Sequence, residues 1–187
     1  MAQAQSFFAS RQFDRAETNY LQMLERDPKN VVVLGNLAAI EMEEGKLDEA
    51  GKHLEAALVQ NPDDSYNLSR LGYLKFQQGQ YDAALDALGR AAKLDPQNAE
   101  IQNYLGVALS HKGLRVQAET ALRKAIQIDP KYAAAQNNLA VIYLSQQPPL
   151  VQLARWHYQK ALDAGQPRNP DLEKAMDEAA AAKPSQP

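Results

Sequence analysis

The chain contains no cysteine. That excludes disulfides, a thiol nucleophile, a thiolate zinc site and cysteine-held iron–sulfur clusters. Long apolar runs are missing as well. Nothing approaches the roughly 18 residues of a membrane-spanning helix; Val31–Leu34 and Ala133–Ala135 are short and interrupted. The opening Met1-Ala2-Gln3-Ala4-Gln5 has neither a basic nor an apolar stretch, so no signal peptide is visible. The cytoplasm is the default expectation, with the periplasm open should the sequence be an excised piece. Charge of one sign is not in excess: 20 Lys+Arg stand against 23 Asp+Glu, a net charge of -3. Such a balance gives no global pull toward nucleic acid or an anionic membrane. Gly-rich phosphate loops, Gly-Lys-Ser/Thr and Gly-x-Ser-x-Gly are all absent. No catalytic residue, metal ligand or cofactor is therefore expected. The three histidines, His53, His111 and His157, are spread over distant segments and read as exposed.

What is present is a period. Pro28, Pro62, Pro96 and Pro130 are each 34 residues apart, and each follows Asp or Asn. Ala16, Ala50, Ala84 and Ala118 keep the same interval, as do Leu37, Leu71, Leu105 and Leu139. Further ladders are Met23, Ala57, Ala91, Ala125 and Gly45, Gly79, Gly113. Several ladders in one register mark an internal repeat. Within a repeat the pattern reads as two helices. Asp64 is an N-cap, and Leu68, Leu71 and Leu74 form the stripe of a first helix. Gly79 ends that helix in the left-handed conformation. Ala84, Leu85, Leu88, Ala91 and Ala92 line a second helix, stopped by Asp95-Pro96. Gly72, Ala84 and Ala91 let the two backbones approach closely. The fifth repeat keeps the register only if two residues are inserted within Ser145–Pro149. Asn169-Pro170-Asp171 starts one more helix, with Leu172, Ala175, Met176 and Ala179 as its stripe.

These ladders resemble the tetratricopeptide repeat (TPR) family. The resemblance rests on Leu71-Gly72 and Leu105-Gly106, on Ala50, Ala84 and Ala118, on Tyr20, Leu54, Leu88 and Leu122, on Ala57, Ala91 and Ala125, and on the Pro ladder. It covers about residues 1–166. Leu34 and Leu68 stand where the family often has Trp. The resemblance implies an all-α, right-handed α-solenoid of about five helix-turn-helix units plus a C-terminal capping helix. The units fall at about 1–30, 31–64, 65–98, 99–132 and 133–166, with the cap at 169–182. Together they make a single domain over 1–183, followed by a tail at 183–187. A terminal cap with a polar back is what a solenoid needs. Trp156, the only Trp, is expected beneath that cap, and Glu119 is expected to face outward.

In this family the first helices line an inner groove that holds peptides or helices. Carried over, that groove is lined by Val32, Gly35, Asn36, Ala39 and Met42, then by Tyr66, Ser69, Arg70, Tyr73 and Phe76. It continues with Glu100, Asn103, Tyr104, Val107 and His111, then Ala134, Asn137, Asn138 and Val141. Aromatic rings and amides dominate, rather than the Lys and Glu of an ordinary solvated face, a composition suited to a peptide backbone. Some family members grip a C-terminal carboxylate with Lys and Asn. Here Asn36 and Arg70 stand at two of those positions, but Met1, Tyr66 and Gln5 replace the others. The expected ligand is therefore an internal peptide segment, met by Tyr73, Tyr104, Asn103 and Asn137. Lys112, Arg115, Arg123, Lys124 and Lys131 gather on the fourth unit and read as solvated surface. The function these features imply is that of a scaffold or adaptor binding protein or peptide, with no nucleic acid and no membrane insertion. Self-assembly through an open N-terminal edge near Phe7 and Phe8, or service as the arm of a larger protein, are the alternatives.

Overall fold

The computed structural model describes residues 1–182; the expected tail lies outside the described residues. Among these the secondary structure is wholly helical. The helices are α1 (Ala2–Ala9), α2 (Phe13–Arg26), α3 (Val31–Glu43), α4 (Leu47–Gln60), α5 (Ser65–Gln77), α6 (Tyr81–Leu94), α7 (Ala99–His111), α8 (Arg115–Ile128), α9 (Ala133–Leu144), α10 (Val151–Asp163) and α11 (Pro170–Ala181). Neighbours in sequence pack as the pairs α1/α2, α3/α4, α5/α6, α7/α8 and α9/α10, and α11 rests on α9 and α10. The chain forms two compact units, Met1–Asp95 and a second beginning at Pro96.

The repeat writes the same local chemistry several times. Three first helices, α3, α5 and α7, start on a side-chain cap: Asn30 Oδ1 accepts from Val33 N–H at 3.1 Å, Asp64 Oδ1 from Asn67 N–H at 2.9 Å, and Asn98 Oδ1 from Ile101 N–H at 3.2 Å. Tyr132 holds the corresponding place before α9 and makes no side-chain cap. The turn to the second helix needs a left-handed residue, met by Gly45, Gly79 and Gly113 at φ 76, 72 and 75. Second helices have no side-chain cap. Their leading N–H reaches back instead, as in Lys46 N–H to Glu41 O at 2.7 Å and Leu114 N–H to Leu109 O at 2.9 Å.

The close seam is real in both units. A Cβ on Gly72 would stand 2.5 Å from Leu88 Cγ, and one on Gly106 would stand 2.6 Å from Leu122 Cγ. Ala84 and Ala118 are fully buried beside them. In the first unit Ala16, Tyr20, Val33, Leu37 and Ile40 form one cluster, and Ala38, Ala50, Leu54 and Leu74 another. In the second unit Leu122, Leu139, Tyr143, Ala154 and Tyr158 join Leu172 and Met176 of α11. The cap is fastened by polar bonds too. Tyr158 OH donates to Glu173 Oε1 at 2.9 Å, and Asn169 N–H donates to Tyr158 OH at 2.6 Å.

Three expectations are corrected. Trp156 is not beneath the cap: it is 52% exposed, because Tyr158 and Leu162, not Trp156, belong to the cluster that α11 completes. His157 is not exposed but 4% accessible, stacked on Tyr143 at 5.3 Å and joined through Nδ1 to Gln136 Oε1 at 2.7 Å. Glu119 does not simply face outward: it accepts from Tyr143 OH at 2.7 Å and from Arg123 Nε at 2.9 Å.

Candidate functional site

The first helix of each pair presents residues that its partner helix does not cover. In the first unit these come from α3 and α5. Tyr66, 45% exposed, lies over the Arg70 guanidinium at 4.3 Å, and its OH donates to Asn36 Oδ1 at 3.4 Å. Val32 occupies the same register position on α3 and is also exposed. Beneath this surface Asn67 presses its amide against Gly35, where a Cβ would collide with Asn67 Oδ1. Both amide atoms of Asn67, with Asn36 Nδ2 and Arg70 Nε, are buried without hydrogen-bond partners among the described residues. Tyr73 stacks on Phe76 at 6.4 Å, and Phe76 meets Tyr81 at 5.7 Å. Gly35, Ala39 and Ser69 of the expected lining are buried, Ser69 Oγ donating to Tyr66 O.

In the second unit the surface comes from α7 and α9. Asn138 Nδ2 donates to Asn103 Oδ1 at 2.9 Å, tying the two helices through their amides; Asn103 is only 4% exposed. Tyr104 OH donates to Glu100 Oε1 at 2.7 Å, one turn back on the same helix. Asn137 is half-buried and Val141 is 44% exposed. Beside the amide pair is a notch of about 80 Å³, lined by Val107, Ser110, His111, Leu122, Asn138, Val141 and Ile142. Four residues of the expected lining, Val107, His111, Asn138 and Val141, thus share one concavity.

Two pairs escaped the sequence reading. Glu41 and His53, near the seam of α3 and α4, meet at 2.8 Å with the carboxylate 4% accessible. Tyr143 and His157 occupy the same two register positions in α9 and α10. A polar residue at both places was the available signal, since the corresponding pairs Lys75 and Ala87, and Leu109 and Ala121, have Ala at the second place. Burial, aided by the Arg123 charge, lowers His157 to about 4, while Glu119 opposes. Tyr132 is pushed up to about 12, chiefly by burial. Among the described residues no cluster of His, Asp and Glu could hold a metal, and no helix is long and apolar enough to cross a membrane.

Stacked helix pairs with a polar and aromatic first-helix face define a helical-repeat interaction fold. Models of the tetratricopeptide repeat match residues 7–69 and 99–132, and a further TPR repeat model matches residues 72–113. The chain belongs to the tetratricopeptide repeat family. No curated protein matches it. Among solved structures it is similar to MamA, 27% identical with a TM-score of 0.70 over 86% of this chain and 93% of that one. A thermophilic TPR protein of Thermus thermophilus is 21% identical, with a TM-score of 0.75 over 97% of each chain. YrrB, described as a TPR protein with an unusual peptide-binding site, is 22% identical with a TM-score of 0.70 over 94% of this chain and 88% of that one.

Proposed function

We propose that the chain is a protein-interaction scaffold that binds an internal, largely uncharged peptide segment on its first-helix faces. The observation that carries this reading is the notch of about 80 Å³ beside the Asn103–Asn138 pair. Its walls, Val107, Val141 and Ile142, suit one small aliphatic side chain. An amide carries both donor and acceptor, so Asn138 and the neighbouring Asn137 can address a peptide backbone. In the first unit Val32 and Tyr66 offer exposed apolar area, and Arg70 lies under Tyr66 rather than open to a carboxylate. Gripping a terminal carboxylate requires charge-assisted bonds to offset its desolvation, and that half of the surface supplies few. Each backbone contact contributes about 0.5–1.5 kcal/mol, so affinity is modest and depends weakly on salt. No catalytic role enters this reading.

The test begins with peptides selected from a random display library and titrated in free and amidated form. Equal affinity for both forms is expected, with a loss of about tenfold in Tyr73→Ala/Asn137→Ala. A tenfold loss on amidation overturns the internal-segment reading. Unchanged binding by the double variant overturns the site.

A further inference from the structure

Between α3 and α5 several polar atoms are buried with nothing to bond. Asn67 is 1% exposed, yet both atoms of its amide lack a hydrogen-bond partner among the described residues. Asn36 Nδ2 and Arg70 Nε are buried in the same condition. These atoms gather at one place. The Asn67 amide presses on Gly35, the neighbour of Asn36, and Arg70 follows Asn67 by about one turn of α5. Tyr66 lies across them, its ring on the Arg70 guanidinium and its hydroxyl on Asn36 Oδ1.

Packing does not call for an amide here. Val33, Ile101 and Ala135 hold the position of Asn67 in the other repeats, and each is buried. Between α7 and α9 the polar residues satisfy one another, Asn138 Nδ2 donating to Asn103 Oδ1. Between α3 and α5 the same two positions carry Arg70 and Gly35, so no such pair forms. A buried donor or acceptor left unpaired is costly, and the fold recovers nothing from this one.

We infer that this place is a subsite for a side-chain carboxamide, Asn or Gln, of the bound peptide, with Asn67 as its specificity-determining residue. The inference rests on the first-helix peptide site proposed above. A primary carboxamide answers both ends of Asn67 at once. Its N–H donates to Asn67 Oδ1, while its oxygen accepts from Asn67 Nδ2 and from Asn36 Nδ2 or Arg70 Nε. The match holds whichever way the Asn67 amide is turned, since one end donates and the other accepts. A carboxylate brings no donor for Asn67 Oδ1, and an aliphatic side chain leaves every one of these atoms unpaired. A backbone group requires the chain itself to pass beneath Tyr66, whereas a side chain reaches there alone. Entry requires Tyr66 to swing aside. Its ring is 45% exposed and its hydroxyl bond is long, at 3.4 Å, so it is lightly held.

The probes are capped tripeptides, acetyl-Ala-X-Ala-N-methylamide with X as Gln, Asn, Glu or Leu, titrated into the ¹⁵N-labelled chain. Their ends carry neither charge nor primary amide. The side-chain amides of Asn67 and Asn36 and the Nε–H of Arg70 report directly. The Gln or Asn peptide is expected to shift them saturably, with the Glu and Leu peptides binding about tenfold more weakly. Asn67→Val and Asn67→Ala install side chains that the repeat already buries at Val33 and Ala135. Both are expected to keep the helicity and to weaken the Gln or Asn peptide about tenfold, to the level of Leu. Shifts at Val107, Asn138 and Val141 with Asn67 unmoved leave the first-helix peptide reading standing and overturn this inference. It is overturned as well if none of the peptides moves Asn67, if the Glu or Leu peptide binds as tightly as the Gln and Asn peptides, or if the folded Asn67 variants bind as the parent does.

Discussion

Arg11 holds a left-handed backbone conformation, φ 56, at the place where Gly45, Gly79 and Gly113 stand in later turns. A side chain there costs about 1 kcal/mol. Its ion pair with Glu43 spans 3.4 Å between side chains 74% and 49% exposed, and such pairs contribute little. Arg11→Gly is expected to raise stability by about 0.5–1 kcal/mol in urea unfolding. His157 gives the opposite kind of prediction. Its pKa falls from 6.5 to about 4 in the folded chain, so between those values the unfolded state binds more protons. Stability should then be full above pH 6.5 and fall as the pH drops toward 4, by up to about 3 kcal/mol from this residue. Parallel urea titrations of parent and His157→Gln should show the parent losing more over that window; identical slopes would contradict the buried neutral imidazole. At this scale the ladders made apolar positions legible, and their interruptions carried the rest. Asn67 sits where Val33, Ile101 and Ala135 are apolar, and both atoms of its amide are buried without a hydrogen-bond partner among the described residues. Periodicity alone could not say that His157 would turn inward, because that depends on Gln136 and Tyr143 of the preceding helix.

The elements were the most legible level. Caps, glycine turns and Asp-Pro stops are short-range chemistry, so the helices fall where those residues put them. The partner-facing seam follows from small residues at fixed spacing. Ala118→Leu should lower stability by about 1–3 kcal/mol through overpacking, whereas Gln127→Ala on the exposed side of α8 should hardly move the melting temperature. Glu119→Ala is no neutral control, since it strips Tyr143 OH and Arg123 of a partner. The cap helix makes a further case. Met176, 3% exposed, closes the last cluster, so Met176→Ala should cost about 2–5 kcal/mol. Trp156 emission should remain that of an exposed indole in that folded variant, because α11 does not cover it. The exposure of Trp156 was legible in register, since Thr18, Lys52, Asp86 and Thr120 hold the same position and are all polar; the apolar character of the ring pointed the other way.

For the molecule as a whole, a 34-residue period yields helix pairs whose first helices share one kind of surface and whose second helices share another. That division places Tyr66, Asn138, Val107 and Val141 on first-helix surface and Val116 and Trp156 on second-helix surface. Aromatic-plus-amide composition flagged the former; what it could not show is that Asn103 would be spent on Asn138, or that Arg70 would lie under Tyr66. The most direct measurement is backbone amide mapping of the ¹⁵N-labelled chain during titration with an uncharged, display-selected peptide. Binding at the notch predicts saturable shifts in α7 and α9, largest near Val107, Asn138 and Val141, with α8 and α10 changed little on their exposed sides. Shifts concentrated on the exposed sides of the second helices, with Val107, Asn138 and Val141 unmoved, would contradict it.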